Sequence, residues 1–90
     1  MTPERLAQVE AVEAFLREAG LWPARARWHD TVVRLELPVD AMDRALEEPL
    51  RTELEKACWR AGFRFAALDL AGIQSGSLSH RIESGTRSEA

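Results

Sequence analysis

Arg25, Arg27 and Arg34 punctuate the stretch "ARARWHDTVVRLELP" at alternating positions. A guanidinium is a planar fork of donors that matches a phosphate or carboxylate two bonds at a time, so several on one surface suit anion recognition. Spacing decides whether they share a surface. An even turn at His29-Asp30 or Asp30-Thr31 would make a hairpin of strands near 24–29 and 31–37, with odd positions of the first facing the same way as even positions of the second. Arg25, Arg27, His29, Val32, Arg34 and Glu36 then share one side, and Ala24, Ala26, Trp28, Val33, Leu35 and Leu37 the other. In the next strand, expected at 63–70, Phe63, Phe65 and Ala67 look core-facing, which sends Arg64 to the arginine side. One carboxylate, Glu36, cannot neutralise four arginines, and like charges across strands cost a few tenths of a kcal/mol or more. A bound anion or an acidic partner surface would relieve this. The plain alternative is the wet side of a half-exposed sheet, with ion pairs worth less than about 1 kcal/mol each.

Glu13 is the second residue of chemical interest. On a helical wheel it projects between Leu6 and Val9, inside an apolar arc where a carboxylate is out of place. The remaining candidates point to packing. Cys58, the single cysteine, lies on an apolar helical stripe between Leu54 and Ala61 and reads as a small core residue with no activating base beside it. His29 and His80 lack the partner spacing of a metal site, so no metal ligands are expected. The run "GIQSGSLSH" has neither the Lys nor the following helix of a phosphate loop, and reads as a turn that closes the fold. No set of nucleophile, base and oxyanion donors is visible, so the chain is expected not to be an enzyme.

These residues need elements to hold them. The 90 residues suffice for one domain, with 46% apolar and 30% charged residues and a net charge of −3, which gives no general attraction to nucleic acid or anionic lipid. Thr2-Pro3-Glu4 is a helix start, the stripe Leu6, Val9, Val12, Leu16 and Ala19 continues it, and Gly20 stops it. After the hairpin, "PVDAMDRALEEP" reads as a short helix with Val39, Met42 and Leu46 on one side. Pro49 opens a second helix along Leu50, Leu54, Ala57, Cys58 and Ala61, ended by Gly62. The order α-β-β-α-β predicts an α+β fold: a small three-stranded mixed sheet with helices on one face and the third strand parallel to the second. Whether the first or second strand is central is open. Residues 1–79 are expected to form the domain and 80–90 a flexible polar tail. No stretch has the length of a membrane span or the form of a signal peptide, and one cysteine allows no intrachain disulfide, so a cytoplasmic protein is expected.

Three blocks together carry a family resemblance. "GFRFAALDLAGIQSGSL" resembles the carboxyl-terminal signature of the LarE-type ATP-dependent sacrificial sulfur transferases, which belong to the PP-loop ATP-pyrophosphatase superfamily. "ARARWHDTVVRLELP" resembles the hairpin of that family at Arg25, Arg27, His29, Arg34, Glu36 and Pro38, and "VEAVEAFLREAG" the preceding helix, with Glu13 at its acidic position. The family joins a PP-loop domain, which adenylates a substrate carboxylate, to a carboxyl-terminal domain that contributes to oligomerisation. Members donate sulfur from their own cysteine during assembly of a nickel-pincer nucleotide. The resemblance implies that this chain corresponds to the carboxyl-terminal domain, with Arg25, Arg27, Glu13 and Glu36, and less securely Asp43, at positions that hold phosphate and metal. The departures are equally informative. No Ser-Gly-Gly-x-Asp-Ser loop is present, Cys58 does not match the sulfur donor, "WHDT" replaces the His-His-Gly-Asp turn, and Ser79 stands where Asn is common.

The expected function is therefore that of a non-catalytic accessory domain that binds a phosphate, a nucleotide or a separate PP-loop protein through Arg25, Arg27, Arg34, Glu36 and Glu13. The alternative is a module that self-associates through its sheet surface or an edge strand and takes no ligand. Neither reading calls for a cofactor, nucleic acid or membrane.

Overall fold

A computed structural model describes residues 2–73 of the chain. Helix α1 spans Pro3–Glu18, β1 Arg25–His29 and β2 Val32–Glu36; a 3-10 turn at Val39–Ala41 leads into the short helix α2, Met42–Ala45; helix α3 spans Leu50–Arg60 and β3 Phe65–Leu68. The sheet order is β1-β2-β3, with β1 antiparallel and β3 parallel to the central β2. This is the expected α+β fold. The tail and the boundary at residue 79 lie outside the described residues, as do His80 and most of the glycine–serine run.

Each element has a local cause. The Thr2 hydroxyl accepts from the Arg5 amide at 3.2 Å, which occupies one of the free donors at the start of α1. Asp30 takes φ 61°, the left-handed region that Asp tolerates, so a two-residue turn returns the chain and pairs His29 with Val32. Helix α3 lacks a side-chain cap at Pro49, and Glu48 substitutes: its carboxylate accepts from the Thr52 amide at 3.2 Å and the Thr52 hydroxyl at 2.7 Å. Those bonds and the Arg51 guanidinium hold the Glu48 carboxyl below its usual range.

The core forms where α1 and α3 cover one face of the sheet. Val12, Leu16, Leu21, Val33 and Leu37 are fully buried, joined by Val9, Ala24, Ala26, Leu35, Leu54, Cys58 and Phe63. The hairpin parity holds, since Ala26 opposes Leu35 and Trp28 opposes Val33 on the core side. Two expectations fail. In the segment after Pro38, Ala41 and Ala45 are buried while Val39 and Leu46 are exposed, because a 3-10 turn breaks the 3.6-residue period on which the wheel relied. In β3 the register pairs Phe65 with Val32 and Ala67 with Arg34, so these two residues face the arginine side and Ala66 and Leu68 the core side. Phe63 is core, as expected, but precedes the strand. The slip has a visible origin: the Arg64 and Phe65 amides both donate to the Thr31 carbonyl, at 2.9 and 3.1 Å, so alternation does not pass regularly from 63 to 65.

The chain leaves β3 through a turn in which the Asp69 carboxylate accepts from the Ala71 amide at 2.9 Å. Gly72 then adopts φ +77°, where a Cβ would stand 2.9 Å from the Leu37 carbonyl and 2.7 Å from Val39, so only glycine fits. The Ile73 amide donates to the Leu37 carbonyl at 2.9 Å. The first part of the glycine–serine run thus closes the fold.

Candidate functional site

The hairpin register places Arg25, Arg27, Arg34 and Glu36 on the face away from the helices, with Arg25 opposite Glu36 and Arg27 opposite Arg34. Two like charges directly across a ladder repel, and the structure shows what compensates. Glu36, buried at 8% exposure, accepts from Arg27 Nε at 3.3 Å and from Arg34 Nη2 at 3.1 Å, so one carboxylate holds both guanidiniums. Asp69 adds a looser ion pair, 3.8 Å from Arg34 Nε. The sequence reading missed Asp69 because it had β3 in the wrong parity; the observed register turns the residue after Leu68 toward the arginine side.

Three arginines thus meet two carboxylates on this face. Arg27 and Arg34 are ion-paired yet keep their side chains 48% and 41% exposed, while Arg34 Nε is itself buried without a hydrogen-bond partner. Arg25 is exposed and has no ion pair among the described residues. Arg64 does not belong to the face. It lines a groove on the helix side with Trp59 and Leu54, and its guanidinium lies 5.6 Å from the Phe65 ring centre. The expected set of four is a set of three because of the slip at Arg64.

Glu13 solves a different problem. Its Oε2 accepts from the Ala26 amide at 3.0 Å, on the side of β1 that has no neighbouring strand among the described residues. The carboxylate that looked misplaced in an apolar arc satisfies a backbone donor at the sheet edge. Arg5 stacks 3.9 Å over the Trp28 ring, and Trp28 Nε1 donates to Gln8 Oε1 at 3.3 Å, so α1 seals β1 at a second point. Glu13, Arg25 and Arg27 border one shallow depression along this edge.

Glu13 is occupied by a backbone amide and Glu36 by two guanidiniums, and no cluster of three His, Cys, Asp or Glu side chains among the described residues could hold an ion. Asp43 is exposed on α2, outside the ion-paired cluster. Cys58 is buried, and burial, helped by the Glu55 charge, pushes its thiol from 9.0 up to about 11, so it is protonated and unreactive near neutrality. No described helix is long and apolar enough to cross a membrane.

No family model matches the chain. It is 33% identical over 82 residues, 91% of its length, to the pyridinium-3,5-bisthiocarboxylic acid mononucleotide synthase of Lactiplantibacillus plantarum. It is also 33% identical over 79 residues, 88% of its length, to an uncharacterized protein of Synechocystis sp.. The chain spans only 29% and 30% of the length of these two relatives. Over nearly its whole length, then, the chain is similar to a domain-sized part of a LarE protein.

Proposed function

We propose that this domain is non-catalytic and recognises an anion, the phosphate of a nucleotide held by a PP-loop partner, through Arg25, Arg27 and Arg34. The observation that carries the reading is the excess of one guanidinium on a face where Glu36 already fixes two others in place. A shared carboxylate limits the rotamers of Arg27 and Arg34 while engaging one nitrogen of each, so less freedom is lost when an anion binds. Arg25, free of any described ion pair, is the side chain with most to gain. Glu13 acts here by holding the β1 edge that presents Arg25 and Arg27, and is a positioning residue. The similarity to part of a synthase whose product is named as a mononucleotide supports a nucleotide over a simple carboxylate.

The test is an NMR titration of the full chain with inorganic phosphate and, separately, a mononucleotide, following the arginine Nε–Hε signals. Arg25 and Arg27 should shift and saturate, with tighter binding of the mononucleotide, and Arg25→Ala/Arg27→Ala should abolish the response. Unmoved arginine signals with both ligands would sink the proposal.

A further inference from the structure

Given the anion reading, on which this rests, the geometry points to Asp69 as a positioning residue of the arginine face. It sets how far Arg34 is neutralised from within the chain, and so how strongly that face takes an anion.

Asp69 serves two groups with one carboxylate. Its Oδ1 accepts from the Ala71 amide at 2.9 Å, which caps the turn after β3, while its Oδ2 lies 3.8 Å from Arg34 Nε. The first is a hydrogen bond of ordinary length; the second is an ion pair too long to be one. Arg34 Nε is accordingly buried without a hydrogen-bond partner, although the same guanidinium gives Nη2 to Glu36 at 3.1 Å. A buried N–H left unpaired is costly, and the carboxylate that could satisfy this one is committed to the turn.

The backbone fixes the turn independently of Arg34. The Gly72 amide donates to the Asp69 carbonyl at 3.0 Å, and the Ile73 amide to the Leu37 carbonyl at 2.9 Å. Gly72 holds φ +77° where a side chain would meet the Leu37 carbonyl and Val39. While the turn is intact, Asp69 stays back and the charge of Arg34 is only partly compensated.

Opening the turn would release the carboxylate to close on Nε, and Arg34 would then hold both Glu36 and Asp69 as anions of its own. An external phosphate must displace Asp69 only in that second arrangement. An intact turn and a bound anion therefore favour each other, and the coupling runs equally in both directions.

Phosphate titration of the full chain, followed at the arginine Nε–Hε signals, tests this. Asp69→Asn keeps an oxygen for the Ala71 amide and removes the charge, so it should tighten phosphate binding by about three- to fivefold. Asp69→Glu keeps the charge on a longer side chain and should not tighten it. Gly72→Ala disturbs the turn without touching the arginine face and should loosen binding; adding Asp69→Asn should erase that loosening, because no charge is left to close on Arg34. A residue that only supported the fold would give weaker binding in each single variant and weaker still in the double. If Gly72→Ala fails to fold, the Asn and Glu variants decide. Phosphate bound with unchanged or weaker affinity by folded Asp69→Asn overturns the role of Asp69 and leaves the anion reading standing. Arginine signals unmoved by phosphate in both the unsubstituted chain and Asp69→Asn overturn the two together.

Discussion

The two outer strands of the sheet present the same kind of unpaired backbone, but they are treated differently. Along β1, helix α1 contributes Glu13 to the Ala26 amide and Gln8 to Trp28, and Arg5 lies over the same indole. Along β3, a groove lies between the strand and α3, with Trp59 among its lining residues. The difference teaches how a small domain divides its surface. The guarded edge is the one that carries Arg25 and Arg27, where a displaced strand would move the guanidiniums together. Along the open edge no described strand or side chain plays the part that Glu13 plays along β1.

That contrast can be broken most forcefully from the β3 side. Phe63, 2% exposed, anchors the approach to β3, whereas Phe65 two residues on is 57% exposed. Phe63→Ala should cost about 3–5 kcal/mol in urea denaturation. Phe65→Ala should cost less than about 1 kcal/mol under dilute conditions. Equal losses would show that the edge is not open.

On the guarded side, Glu13→Ala leaves the Ala26 amide without its charged acceptor and should cost about 1.5–3 kcal/mol. Hydrogen exchange at Ala26 should accelerate in the same variant, and Glu13→Gln, which keeps an acceptor, should recover part of the loss. A neutral Glu13→Ala would mean that α1 does not guard β1. The arginine face should respond less. Glu36→Ala frees Arg27 and Arg34 into solvent they already reach, so about 1 kcal/mol is expected from denaturation. Its larger effect should be on the arginine Nε–Hε signals, which lose their fixed positions.

The smallest effect concerns Cys58, on α3 behind the groove. Its folded-state thiol holds its proton up to about pH 11, against 9.0 ordinarily, so the stabilisation is fully present below pH 9 and fades as pH rises through 11. Denaturation midpoints should fall over that window, less steeply in Cys58→Ala. A thiol reagent should label the native protein slowly near neutrality. Fast labelling would show that the groove admits solvent to the core and that the β3 side is loose as well as open.

The hairpin was legible in the sequence because a two-residue turn fixes register, and register fixes which side chains share a face. Glu13 was legible as an anomaly but not as a solution, since its partner is a backbone amide 13 residues away. The third strand misled because alternation is only as good as its starting point, and the doubly bonded Thr31 carbonyl shifts that point by one residue. Leu21, fully buried between α1 and β1, escaped notice because it belongs to no periodic stripe. Asp69 escaped with the strand. Ion-pair choices on the arginine face depend on distances between strands, which no pattern along one strand encodes.

Glu36 has one further consequence. Because it is bonded to both Arg27 and Arg34, removal of either guanidinium would leave the other beside the buried acid. A one-to-one bridge would strand a buried negative charge when its single partner is lost, whereas here the loss of one arginine is backed by the second.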